Sequence, residues 1–466
     1  MENLIVSNIV SEKDPYLCTD AYKYRMGLCG FPLKEETFYL SFRHPGIYNI
    51  PFDIKEVMSR VCSRISESVP AASPEFLTKH NYPMTPAMIA ALKATPKIWA
   101  APKGSWVGGG NPIVTITGPS FLVSMLEPIV LKLNFPIQIA TAMIKEGVFE
   151  FATCSCYQSK LVREMAELLS RQVTITEIDR TNQIRIHFKN LLDSLYDGNP
   201  ERILEVGCRG LVEWKTSFLS VLASHGLKYT SDVYSAKFLG LTPVGTTGHE
   251  HQQRWGGDES AFRALCDMSD RQPGFLPDTY DEQRGLETAM QVAKEYGKPV
   301  TFRFDNRNTM LDNFKMLVQK GFGPCTFVFM DGMNPESISK VESARVELGI
   351  PASQVLFGVG GYLSCDTMPH PYTRNRVSAV YKLSKSGNMP TMKFSTPEKQ
   401  SLPGIPVLFQ GPFEKRMIGQ LGETPPADYS TTLSPLLGRD IPSSTLSPKT
   451  QQLIAECKQR CNIKEK

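Results

Sequence analysis

The sequence predicts an α/β protein, an irregular TIM-like (β/α) barrel preceded by an N-terminal mixed α/β domain, and three observations support this. From about residue 200, apolar runs end in polar residues or glycine at a steady interval. "KPVTFRFDN" ends at Asp305, "CTFVFMDG" at Asp331 and "QVLFGVGG" at Gly358, one β-α unit apart. Between them lie well-bounded amphipathic helices. No strand-Gly-x-Gly-x-x-Gly-helix fingerprint occurs, which favours a barrel over an open doubly wound sheet.

Residues 1–150 read as the mixed domain. "ETFYLSFRH" (36–44) partly alternates apolar and polar side chains, as a strand does, and "NPIVTITGP" (111–119) is a second strand stopped by Gly-Pro. The apolar stretch from Ser120 to Leu133 predicts one buried helix. Residues 151–390 are expected to form the barrel and to carry the active site. In "DEQRGLETAMQVAKEYGKP", Leu286, Met290, Ala293 and Tyr296 share a helical face, and Gly297 and Pro299 end it. In "NPESISKVESARVELGIP", Asn334 caps, Pro335 starts the first turn, and Ile338, Val341, Arg345 and Leu348 follow at helical spacing. Residues 391–466 form an extended Pro-rich segment and a helix at 448–461, packing back on the N-terminal domain. "VLFQGP" (407–412) looks like a viral protease cleavage sequence but lies well inside the chain.

Composition narrows the function. A chain of 466 residues, 41% hydrophobic and 21% charged, is long enough for two or three domains. Basic and acidic side chains nearly balance, 51 against 47, so neither nucleic acid nor an anionic membrane is expected as partner. The eleven cysteines, including Cys154 and Cys156 in a C-x-C and the pair Cys457 and Cys461, lack zinc-site spacing. The N-terminal residues show no signal peptide. Glu127, Lys132 and two prolines interrupt the most apolar window, so a reduced, cytoplasmic protein is expected.

Strand ends in such folds build the site, and here they carry Arg209, His249, Asp305, Asp331 and the glycines of 358–361. "LTPVGTTGHE" (241–250) places a Gly/Thr loop directly before His249. Its free amides suit a phosphate, although an ordinary turn has the same composition. An imidazole there could meet that phosphate, with Glu250 as a candidate to fix its tautomer and His251 competing for the role. Asp305 and Asp331 could share a magnesium ion through water or simply cap helices. Arg303, two residues before Asp305, lies on the same strand face. "FGVGGYLS" (357–364) offers either amides to a second phosphate or a glycine-rich turn.

The order of these signals resembles that of nicotinate phosphoribosyltransferases, which join nicotinate to phosphoribosyl pyrophosphate. "TDAYKYRMG" (19–27) resembles the family's T-D-x-Y segment, and "FYLSFR" (38–43) its next strand. "ITGPSFLVSMLEPIVLKLNFPIQIAT" (116–141) resembles its central helix, and "YTSDVYSAKFLGLTPVGTTGHE" (229–250) its G-T-S-N…P-x-G-T-x-x-H-E block. "MKFSTPEKQSLPG" (392–404) is similar to its M-K-x-S…L-P-G tail. The resemblance implies an ATP-coupled enzyme making nicotinate mononucleotide through a phosphohistidine at His249, with Asp305 catalytic beside the ribose. It also implies a homodimer in which Tyr22 enters the neighbour's site to stack on the pyridine ring. Thr246 and Arg303 would hold nicotinate, and Arg43, Arg209, Asp331, Gly332, Gly360 and Gly361 the phosphoribosyl pyrophosphate. Asp305 and Asp331 would hold Mg2+.

Several residues depart from the family pattern. "DNRN" (305–308) stands where relatives read D-S-G-D or D-S-G-N, placing Arg307 at a glycine and Asn308 at a carboxylate. Val206 replaces a frequent phenylalanine. Gly210 and Gly361 match the nicotinamide-using cousins, while Ser231 stands where those cousins carry an aspartate, with Asp232 next to it.

Overall fold

The computed structural model describes residues 1–145, 176–211, 217–268, 271–368, 372–394, 399–412, 415–433 and 444–463. The boundary expected at 150/151 and the Cys154–Cys156 pair lie outside them.

The N-terminal part contributes strands β1 (Glu35–Phe42), β2 (Ile47–Asn49), β3 (Lys97–Ala100), β4 (Trp106–Gly108) and β5 (Val114–Pro119). The two strands expected there are present. Seven of the eight β1 residues are buried, so its alternation is weak because both faces are covered. The single helix expected over 120–133 is two short helices, Ser120–Met125 and Glu127–Leu131. Pro128 has no amide hydrogen to donate and sits in the first turn of the second helix, so the break falls just before it.

Seven strands then build a parallel sheet: β6 (Ile203–Glu205), β7 (Tyr229–Thr230), β8 (Thr242–Pro243), β9 (Gly274–Phe275), β10 (Thr301–Phe304), β11 (Thr326–Phe329) and β12 (Val355–Val359). Their order is β8-β7-β6-β12-β11-β10-β9, with every pairing parallel. The helices expected between the last strands are Glu282–Tyr296 and Pro335–Glu347. Asp281 caps the first by accepting from the Arg284 amide, and Gly297 ends it at φ 70°. Asn334 and Ser337 close a reciprocal capping box on the second.

Phe302, Phe304, Phe327, Phe329 and Phe357 are buried between sheet and helices. Their alternation turns Arg303 and Asp305 to the other face. The sheet is curled rather than closed. Among the described residues no hydrogen bonds join β8 to β9, yet a Cβ added to Gly274 would lie 3.0 Å from the Thr246 side chain, just beyond β8. The expected parallel β-α sheet is present, and in place of the expected barrel it forms a rolled sheet with its edges in contact.

The chain next returns to its beginning. Strand β13 (Ala379–Ser386) pairs antiparallel with β1, and β14 (Met389–Pro390) pairs with β13, completing a sheet ordered β14-β13-β1-β5-β3. A third sheet holds β15 (Pro406–Gln410), β16 (Arg416–Gln420) and β17 (Thr445–Leu446). "VLFQ" is thus a mostly buried strand. The final helix, Pro448–Arg460, packs through Cys457 against Met392, Phe394 and Tyr280. The nine described cysteines are free thiols, and no helix among the described residues is long and apolar enough to cross a membrane.

Candidate active site

The carboxyl ends of β6, β8, β10, β11 and β12 open on one cavity of about 490 Å3. It is lined by Arg209, Thr246, His249, Arg303, Asp305, Asp331, Gly332, Gly360 and Gly361, and by Tyr22 and Arg43 from the N-terminal part. All the residues selected from the sequence as binding or catalytic therefore meet in one place.

The loop after β8 is shaped by Tyr22. A Cβ on Gly245 would come 2.7 Å from the Tyr22 amide nitrogen, and one on Gly248 would come 3.0 Å from its ring. Glycine is needed at both positions because Tyr22 packs so closely. Arg303 braces the loop from below, donating from Nη1 to Thr246 Oγ1 at 3.2 Å and to the Thr247 carbonyl. Its Nη2 donates to Asp305 Oδ2 at 3.1 Å, as their shared strand face requires.

His249 begins the short helix Glu250–Trp255. Its Nδ1 lies 3.1 Å from Thr279 Oγ1 and its Nε2 2.6 Å from Lys393 Nζ. Asp305 and Asp278 approach Nε2 at 3.4 and 3.9 Å. An ammonium only donates, so Nε2 accepts and Nδ1 carries the hydrogen toward Thr279. Burial, then the Lys393 charge, pushes the imidazole down to about 4 against the pull of the two carboxylates. It is neutral at physiological pH, with its lone pair at Nε2. Burial tends to raise Asp305, but the Arg303 and Lys393 charges hold its carboxyl well below the usual range.

Glu250 does not set the His249 tautomer. Its Oε1 accepts from Lys23 Nζ at 2.8 Å and from Ser124 Oγ at 2.7 Å, facing away along the helix. His251 is buried outside the cavity, with Nε2 2.9 Å from the Ala261 carbonyl. Tyr22 lines the cavity of its own chain. Its hydroxyl donates to Glu127 Oε2 at 2.7 Å, and the adjacent Lys23 bridges Glu127 and Glu250 at 2.7 and 2.8 Å. Arg209 reaches Glu127 at 3.5 Å and Asp20 at 3.7 Å.

Reasoning from sequence missed five cations lining the cavity: Lys23, Arg374, Lys382, Lys393 and Lys399. Burial pushes Lys382 down to about 7, with nearby arginines adding to the effect against Glu127. Lys393 and Lys399 were within the M-K-x-S…L-P-G signature, but a lone lysine in a Pro-rich segment looks like solvated charge. With Arg43, Arg209 and Arg303, the cavity concentrates positive charge suited to phosphates.

The carboxylates fit a resident metal poorly. Asp331 accepts from Lys399 Nζ at 3.1 Å and from the Arg307 amide at 3.4 Å. Asp305 Oδ2 is paired with Arg303. No group of three His, Cys, Asp or Glu able to hold a metal occurs among the described residues.

No protein-family model matches the chain. A curated Mycobacterium tuberculosis protein, nicotinate phosphoribosyltransferase pncB2, is 24% identical over 225 residues, 48% of this chain. The matched region spans 38% of the length of that relative. The crystal structure of nicotinate phosphoribosyltransferase from Vibrio cholerae superposes with a TM-score of 0.54 at 16% identity, covering 83% of this chain and 89% of the other. That from Porphyromonas gingivalis gives 0.53 at 16% identity, covering 83% and 95%. By partial sequence similarity and by fold, this chain resembles the nicotinate phosphoribosyltransferases.

Proposed function

We propose that the protein is a nicotinate phosphoribosyltransferase that converts nicotinate, phosphoribosyl pyrophosphate, ATP and water to nicotinate mononucleotide, pyrophosphate, ADP and phosphate, the first step of NAD synthesis from nicotinate. The observation that supports it most is His249: a neutral imidazole with its Nε2 lone pair at the rim of a cation-lined cavity, 3.4 Å from Asp305. Nε2 takes the ATP γ-phosphoryl group, and Lys393 at 2.6 Å balances the charge it brings.

In the transfer step, the pyridine nitrogen attacks the anomeric carbon as the bond to pyrophosphate breaks. Asp305 stabilises the cation-like sugar, while Arg43, Arg209, Gly332, Gly360 and Gly361 receive the phosphates. Tyr22 stacks on the base, and Thr246 and Arg303 bind its carboxylate. Magnesium enters with the phosphorylated substrates. A cytoplasmic homodimer completes the proposal.

The test is His249→Ala compared with the parent protein for ATP hydrolysis and mononucleotide formation. Loss of ATP coupling with slow ATP-independent turnover is expected; full coupling in the variant refutes the role. A second reading, nicotinamide as substrate, is favoured by the tight packing at Gly210, where a Cβ would lie 2.3 Å from Ser364 Oγ and 2.8 Å from Cys365 Sγ, so an arginine fits only if those side chains shift. Assays with both bases at equal concentration separate the two.

A further inference from the structure

We infer that a protein cation occupies the place where a divalent ion would sit: Lys399, with Arg307 beside it, fills the gap between Asp305 and Asp331. This rests on the phosphoribosyltransferase reading only for the statement that the ion's usual partner is a pyrophosphate. The geometry is independent of it.

Lys399 Nζ lies 3.1 Å from Asp331 Oδ2 and 3.4 Å from the Asp305 carbonyl oxygen, so one ammonium spans both strand ends. Its own carbonyl accepts from Arg43 Nη2 at 2.9 Å, which anchors the residue at the cavity wall. Arg307 adds a second charge. Its amide donates to Asp331 at 3.4 Å and its Nη1 lies 3.9 Å from where a Cβ on Gly332 would be.

A hard cation takes about six oxygen ligands, whereas Oδ2 of Asp331 already accepts from Lys399 and Oδ2 of Asp305 from Arg303. Lys399 and Arg307 add positive charge beside Asp331, and Asn308 cannot replace the missing acid. Glycine in place of Arg307 and an acid in place of Asn308 would leave room and charge for an ion. This chain has exchanged both. Magnesium therefore reaches the cavity only on the pyrophosphate of a substrate, and until then Lys399 holds the Asp331 carboxylate and the Asp305 carbonyl.

The experiment titrates Mn2+ into the full-length protein without substrate and follows free Mn2+ by electron paramagnetic resonance. The parent protein is expected to bind no tighter than millimolar. The double variant K399A/R307G is expected to bind at least tenfold tighter, and adding Asp331→Asn is expected to abolish the gain. Lys399→Met alone, a smaller change to packing, is expected to show part of it. Micromolar binding by the parent that Asp331→Asn removes would overturn the inference, as would a folded double variant no better than the parent. Pyrophosphate release is measured separately. Its absence with either base would sink the functional reading and leave the Mn2+ result standing.

Discussion

Replacing Lys393 with methionine tests the electrostatics of His249 directly. The side chain keeps its length and loses its charge. At an effective dielectric of about 20, a positive charge 2.6 Å from Nε2 opposes protonation by about 6 kcal/mol. Asp305 at 3.4 Å and Asp278 at 3.9 Å favour it by about 5 and about 4 kcal/mol. In the parent the two carboxylates outweigh the ammonium by about 3 kcal/mol, and burial overcomes that remainder to depress the imidazole to about 4. Without the ammonium, both carboxylates act unopposed; reaching the ordinary 6.5 takes about 3 kcal/mol, less than the roughly 6 kcal/mol the ammonium withheld, so the imidazole is expected to pass it.

The assay is a pH titration of selectively labelled histidines by nuclear magnetic resonance, with His249→Asn to assign the signal among seven. Stability carries the same signature. In the parent, the unfolded chain takes up this proton first as pH falls below 6.5, so stability declines between 6.5 and about 4. Lys393→Met is expected to lose that decline. An imidazole still titrating near 4 in the variant would refute the assignment of Lys393 as the opposing charge.

Three further outcomes are expected. Lys23→Met leaves Glu127 and Glu250 buried without their shared ammonium and is expected to cost about 3–5 kcal/mol in chemical denaturation. Gly285→Ala puts a Cβ 2.1 Å from the Pro277 carbonyl oxygen, a backbone atom that cannot turn aside; a loss of about 1–3 kcal/mol and a lowered Tm are expected in calorimetry. Burial raises Glu205 to about 8, so the native state holds its proton where the unfolded chain has released it; stability is expected to fall as pH rises from 4.5 through 8, and Glu205→Gln to flatten that limb.

Much of this was legible in the sequence, because strand ends and helix caps are local chemistry. Asp305, Asp331 and the Gly358–Gly361 turn were placed by hydrophobic period and turn residues alone, and Asn334 by its capping pattern. What escaped depends on contacts distant in sequence. Glu250 adjoins His249 in the chain but serves Lys23, 227 positions away, while Lys393 reaches His249 across 144. Spacing cannot reveal such pairings. The break before Pro128 was visible as a proline within an apolar run, and was outweighed by the hydrophobicity around it.

The strand order has a consequence for synthesis. Strands β6 to β8 and β9 to β11 are each contiguous in the chain, but only β12 joins the two groups, pairing with β6 on one side and β11 on the other. Until residue 359 has left the ribosome, the emerging polypeptide carries two half-sheets whose inner edges are unpaired. The apolar residues of β12 act as a keystone, set late and from the far end. A nascent chain stalled before that point would expose the edges of β6 and β11 to neighbouring copies, making this interval the one most in need of a chaperone.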